Sequence, residues 1–195
     1  MNEIKNAVVV YAESTPNPAS MKFVANLFLL KSGSVEFLNK EHARTCPLAF
    51  QLFDFSGVAS VFISSNFVTV TKKTDIEWFD ITTILREFIK SFLESGEPVF
   101  TGDKGQKADP TIERTLTASA VETKIVEALE EYVKPAVEQD GGAIHFKSFE
   151  NGVVTLILKG SCSGCPSSVV TLKNGIENLL KQLIPEVHEV VAEAL

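Results

Sequence analysis

The alternation of apolar and polar positions divides the chain into two patterned regions separated by a stretch with little periodicity. In the first region, Ala7–Tyr11 and Met21–Leu30 have the β-branched, apolar character of strands. Between them, Ser14-Thr15-Pro16-Asn17-Pro18-Ala19-Ser20 is built of turn formers, and its prolines fix φ. Cys46–Phe53 reads as a short helix, and Val58–Ile63 with Phe67–Thr71 as a hairpin around Ser64-Ser65-Asn66. From Ile76 to Leu93 the apolar residues recur at helical spacing, through Ile81, Ile84, Leu85, Phe88, Ile89 and Phe92, with Asp75 placed to cap the helix.

The second region opens on a helix near Val121 whose buried face is expected at Ile125, Ala128, Leu129, Tyr132, Val133 and Ala136. Pro135 removes a backbone donor and is expected to kink or restart that helix. Asp140-Gly141-Gly142 ends it, with glycine as the left-handed cap. Ala143–Phe149 and Val153–Leu158 form a second hairpin, since Asn151-Gly152 suits a type I′ turn. A further helix carries Val169, Leu172, Ile176, Leu179, Leu180 and Leu183, and Val187–Ala192 reads as a short last strand. The expected class is α+β, as two small mixed domains over 1–95 and 120–195. Residues 96–119 are rich in Gly, Pro, Lys, Asp and Thr and read as a flexible linker, with an end-to-end distance of about 25–30 Å.

Composition narrows the function classes. Eleven of the fourteen Phe lie in the first region, which is better explained by core packing than by ligand contacts. Net charge is −7, and most of the acidic excess falls from residue 120 onward. Phosphate contacts need basic patches, so nucleic acid is not an expected partner. No apolar run is long enough to span a bilayer, so no membrane role is expected. The start, Met1-Asn2-Glu3-Ile4-Lys5-Asn6, reads neither as a signal peptide nor as an Arg-rich transit peptide. Three cysteines, an odd number, argue for a reducing compartment. The expected location is cytoplasmic, bacterial in the first instance, with a mature mitochondrial form left open.

Chemistry concentrates at Cys162-Ser163-Gly164-Cys165-Pro166, which holds two of the three cysteines. It lies between a strand and a helix whose first turn suits Pro166. Free N–H groups at that helix start, with Lys159 and Lys173 nearby, would favour thiolate. Two thiolates are half of the set that a tetrahedral zinc or a four-iron cluster needs. No other close pair completes it, so the remaining ligands point to a second copy of the chain. Metal or cluster ligands, a redox dithiol and inert thiols all fit, the last least well beside Gly160 and Gly164. His42, His145 and His188 have no partner at metal spacing and read as ordinary surface or strand residues.

Val133-Lys134-Pro135-Ala136, Asp140-Gly141-Gly142, Gly160-Ser161-Cys162-Ser163-Gly164-Cys165-Pro166-Ser167-Ser168 and Thr171-Leu172-Lys173 follow in order over roughly residues 121–192. This resembles the C-terminal, Nfu-type iron–sulfur domain of NifU. The first region resembles the N-terminal domain of Nfu proteins at Thr15-Pro16-Asn17-Pro18, Met21-Lys22-Phe23, Cys46-Pro47-Leu48-Ala49, Phe67-Val68-Thr69-Val70-Thr71-Lys72 and Trp78. The resemblance implies a non-enzymatic scaffold or carrier. Cys162 and Cys165 would bind a labile iron–sulfur cluster, [4Fe-4S] and shared between two subunits of a homodimer. Its partners would be upstream assembly factors and apo iron–sulfur clients. Cys46 departs from the pattern, where Ser or another small residue is expected, and reads as a small buried residue. The separate scaffold domain of nitrogen-fixation NifU has no counterpart here, so a dedicated nitrogenase role is not implied.

Two rivals stand beside this reading. A thioredoxin-like dithiol oxidoreductase also places CxxC at a helix start. Against it count the lack of a full βαβ framework and the position of Pro166 after the second cysteine, not between the two. A zinc-bridged structural dimer would use the same two cysteine pairs.

Overall fold

A computed structural model describes residues 7–101, 119–163 and 166–194. Expectations for most of the linker, and for Gly164 and Cys165, lie outside the described residues. The chain is α+β and forms two compact units, one of residues 1–14 and 21–107, the other of 15–20 and 108–195.

The first unit holds a five-stranded sheet with strand order β1-β2-β5-β4-β3. Its strands are β1 (Val10–Ser14), β2 (Ser20–Ala25), β3 (Ser34–Phe37), β4 (Val58–Ser64) and β5 (Phe67–Lys72). β1 and β2 pair antiparallel from Val10↔Ala25 to Ser14↔Met21. The expected β4–β5 hairpin is present, with Ser65 at φ 47 in its turn. β2 is shorter than the apolar run to Leu30 suggests. The backbone N–H groups of Leu29 and Leu30 donate to Ser65 O instead of joining a ladder. α1 (Pro47–Leu52) follows a 3₁₀ turn, and α2 (Trp78–Ser95) is capped at its far end by left-handed Gly96. α2 starts after Glu77, not after Asp75. Leu85, Ile89 and Phe92 carry its buried stripe, while Ile84 is 53% exposed. Most phenylalanines serve the core as expected, but Phe79 is 96% exposed and Phe28 76%. Val99 and Phe100 pack on this core and Thr101 N–H donates to Thr45 O, so residues 97–101 complete the first unit.

In the second unit, the Ser119 hydroxyl and Glu122 form a reciprocal capping box on α3 (Ala120–Ala128). A π-helical turn over Leu129–Val133 connects α3 to α4 (Lys134–Gln139). Pro135 thus sits in the first turn of a restarted helix, where its missing N–H costs little. The π turn adds a residue to the helical phase. Val133 is buried as expected, but the buried face continues at Val137 instead of Ala136, and Tyr132 is 53% exposed.

β6 (Gly142–Glu150) and β7 (Val153–Gly160) pair antiparallel through Asn151 and Gly152, whose φ values of 51° and 82° are those of a type I′ turn. α5 (Pro166–Leu183) then crosses back to β8 (Glu189–Ala194), which lies parallel to β7. This is a βαβ crossover, so the expectation that the domain lacks one is corrected. The parallel pairing depends on where the chain returns, and periodicity does not encode that. Val154, Leu156 and Leu158 alternate into the core against Ile125, Val137, Ile176 and Leu180. Each such side chain stabilises the unit by about 1.5–3 kcal/mol. Among the described residues no helix is long and apolar enough to cross a membrane.

Candidate functional site: the cysteine loop

β7 delivers the cysteine loop. Gly160 ends the strand at φ 67°, a left-handed value that turns the chain away from the ladder. Ser161–Ser163 follow as a turn, closed by Ser163 N–H and Ser163 Oγ donating to Gly160 O at 3.1 and 2.8 Å. The turn is fastened from below by the end of α4. Ser161 N–H donates to Gly141 O at 3.3 Å, and Ser161 Oγ donates to Asp140 O. Gly141, at φ 81°, is the left-handed residue that ends the helix.

Cys162 faces inward and joins the unit's core, only 7% exposed. Its sulfur occupies the space that a side chain on Gly142 would take. A Cβ at position 142 would stand 2.6 Å from Cys162 Sγ and 2.7 Å from Lys159 O. Asp140-Gly141-Gly142 is therefore a helix cap and also the seat of the thiol. Sequence reasoning missed that second role. The signal was the second glycine, since a cap needs only one.

Burial pushes the Cys162 thiol above its ordinary pKa, the nearby Ser161 hydroxyl works against that rise, and the Asp140 charge adds to it. Desolvation thus works against the thiolate that the helix start was expected to favour. The Ser161 hydroxyl donates its hydrogen bond to the Asp140 carbonyl oxygen. Ser161 Oγ also lies 3.9 Å from Cys162 Sγ, where it can turn towards a thiolate.

Cys46 belongs to the first unit. It is fully buried before α1, which supports the reading as a small core residue. Burial pushes its thiol up to about 12, against lesser help from the Ala49 and Leu48 N–H groups. The folded pKa lies above the unfolded value of 9.0, so this stabilisation is complete below about pH 9 and is lost as pH climbs towards 12. Between pH 8 and 10.5 the parent should lose about 2 kcal/mol more stability than Cys46→Ala. Urea midpoints at the two pH values measure this, and equal pH slopes would contradict it. Among the described residues no three His, Cys, Asp or Glu side chains group as a metal site, and His42 and His188 are exposed. The donor set at the cysteine loop is thus a soft sulfur flanked by glycines, which suits a thiophilic cargo and not a hard cation.

Residues 10–96 match the family model described as "Scaffold protein Nfu/NifU N terminal", and residues 125–191, which include Cys162 and Cys165, match "NifU-like domain". The chain belongs to the Nfu/NifU family. Among Nfu/NifU relatives it is 38% identical over 193 residues to "NifU-like protein 5, mitochondrial" of Arabidopsis thaliana, covering 98% of this chain and 70% of that one. It is 40% identical over 189 residues to "NFU1 iron-sulfur cluster scaffold homolog, mitochondrial" of Drosophila persimilis, covering 95% and 65%. The human protein of that same name is 38% identical over 187 residues, covering 93% and 70%. The chain spans about two thirds of the length of these relatives. Their names overturn the expected cytoplasmic, bacterial location and point to an organelle. The physical reason is that addresses are read by receptors from separate segments, while the composition of a folded domain carries none.

Proposed function

We propose that this Nfu/NifU protein is an iron–sulfur scaffold or carrier, not an enzyme, that binds a labile [4Fe-4S] cluster through Cys162 and Cys165 and passes it to apo-proteins. The observation that carries the reading is the NifU-like match across the cysteine pair, joined to a loop that seats Cys162 against Gly142. Four thiolates complete a four-iron cluster, so two chains contribute two each and the loaded form is a homodimer. The cluster is cargo received from upstream assembly factors. Loading requires the proton of each thiol to leave. Ser161 is placed to turn its hydroxyl from Asp140 O towards the thiolate that results. On this reading residues 120–195 hold the cluster, and residues 1–95 recognise partners or tune delivery.

Anaerobic reconstitution with ferrous iron and sulfide tests the proposal. The expected result is a brown protein with broad visible absorption that restores an apo-client's activity. A colourless product that retains zinc through gel filtration would favour the zinc-bridged dimer. One observation favours the oxidoreductase reading, the βαβ crossover that follows the cysteine loop. The raised Cys162 pKa opposes it, because dithiol exchange needs a ready thiolate. Turnover in an insulin-reduction assay would revive it.

A further inference from the structure

Phe79 is the most exposed large apolar side chain among the described residues, at 96%. The backbone beneath it is fixed within the first unit. Ile76 lies close against Gly57, where an added Cβ would stand 3.1 Å from the Ile76 side chain. Lys73 N–H donates to Gly57 O at 2.9 Å, and Asp80 N–H to Glu77 O at 3.1 Å. Trp78 packs on the core, and Thr82 Oγ1 donates to Trp78 O at 2.6 Å across the first turn of α2. Phe79 thus stands out from a rigid helix start, on the side that carries exposed Thr83 and Glu87 one and two turns on. A side chain that buries nothing adds no packing to the fold, and alanine would suit the helix better.

Exposed carboxylates flank it at Asp75, Glu77 and Asp80. Among the described residues none of the three enters an ion pair, although Lys72 and Lys73 are near in sequence. The positive end of the helix dipole accounts for an acid at Asp80. It does not account for the phenylalanine. Charge decides what can cover this patch. Residues 120–195 carry six Lys and Arg against eleven Asp and Glu, and the whole chain has net charge −7. Neither the second unit nor a second copy complements three free carboxylates, and nucleic acid and anionic membranes are repelled for the same reason. A protein surface with an apolar pocket rimmed by Lys and Arg matches both the ring and its charged border.

We propose that Phe79, bordered by Asp75, Glu77 and Asp80, is the anchor by which the first unit docks an apo-client, and that the client presents an apolar pocket rimmed by Lys and Arg. An aromatic ring on a fixed backbone loses little freedom when it is buried by a partner. Binding energy concentrates on such residues when they fill a desolvated pocket. The carboxylates speed encounter and fix register. The proposal deepens the carrier reading and rests on it for the partner being an apo-client. The docking itself is measured without any cluster.

The test titrates the full-length apo-chain calorimetrically into purified apo-forms of [4Fe-4S] proteins from the same cell. The parent should bind at least one of them. For that client Phe79→Ala should raise Kd roughly tenfold or more. Glu77→Lys should raise it too and flatten its salt dependence. Phe28→Ala is the control and should bind as the parent does, because Phe28 is 76% exposed with no carboxylate within five residues on either side. Removing an exposed ring should leave the urea midpoint of Phe79→Ala at the parent value. A parent that binds no client, a Phe79→Ala chain that binds as the parent does, or an equal loss in Phe28→Ala would each overturn the proposal. A lower urea midpoint in Phe79→Ala would overturn it as well, by showing the ring covered by its own chain. Dimerisation of the apo-parent that disappears in Phe79→Ala would assign the patch to a second copy instead. If binding depends on Phe79 while the loaded parent restores the activity of no client, the docking stands and the carrier reading falls.

Discussion

Alanine at Cys162 or at Cys165 should abolish cluster loading, while Cys46→Ala should load as the parent does. The expectation follows from spacing and burial. Cys162 and Cys165 form one CxxC pair in the sequence, whereas Cys46 is sealed in the core of the other unit with its thiol pushed up to about 12. A shared centre magnifies each substitution. When two chains supply two thiolates each, one changed residue per chain removes half of the ligands, so a near-complete loss of iron is expected and not a partial one. Loading should also convert monomer to dimer, with four irons for every two chains. Anaerobic sedimentation with iron and sulfide analysis on the parent and three variants measures both effects. A loaded monomer with four irons per chain would sink the shared-site model. Iron loss in Cys46→Ala equal to that in Cys162→Ala would sink the ligand assignment.

What was legible in the sequence was local chemistry. Asn151-Gly152 announced its hairpin because the two residues that tolerate positive φ stood between alternating strands, and the observed φ values are 51° and 82°. Pro135 announced a restarted helix for the same kind of reason. The phase change upstream of it was not legible. A π turn over Leu129–Val133 carries no distinctive residue, yet it moves the buried face by one position, from Ala136 to Val137. β3 was missed because Ser34–Phe37 is only four residues long, and its strand state depends on pairing with β4 between Ser34↔Ser64 and Phe37↔Val61. Asn17 was read as part of a turn-rich loop, and the bonds within that loop, Thr15 Oγ to Asn17 O and Ala19 N–H to Asn17 Oδ1, agree with it. At the cysteine loop the strand before Cys162, the turn that holds it and the helix from Pro166 were legible. The upward push of burial on the Cys162 thiol was not legible, because helix-end polarity can be read from sequence and desolvation cannot.

Gly142→Ala should damage the cysteine loop. Glycine at this position is not explained by backbone conformation: Gly141 has a positive φ of 81°, and Gly142 is not among the residues with positive φ. The reason is space. The added Cβ would meet Cys162 Sγ at 2.6 Å, Lys159 O at 2.7 Å and Cys162 Cβ at 3.2 Å. Alone, the sulfur could swing aside, but the Lys159 carbonyl is backbone in the β6–β7 ladder, where Ala143 pairs with Lys159 and Gly142 with Gly160. Relief therefore requires either opening the ladder at its last pair or expelling the thiol from its seat. Overpacking of this kind costs about 1–3 kcal/mol, and Gly142→Val should cost more. Gly175→Ala is the matched control. It adds the same methyl group within α5, where nothing lies within 4 Å, and should stabilise the unit by about 0.5–1 kcal/mol through the unfolded chain and helix propensity. Urea unfolding, Cys162 alkylation and cluster retention should move together in Gly142→Ala, towards lower stability, faster alkylation and faster iron loss. In Gly175→Ala stability should rise with the other two unchanged. If Gly142→Ala matched the parent in all three, the seat assigned to Cys162 would be wrong. If it lost stability yet held its cluster as the parent does, the glycine would serve the ladder alone.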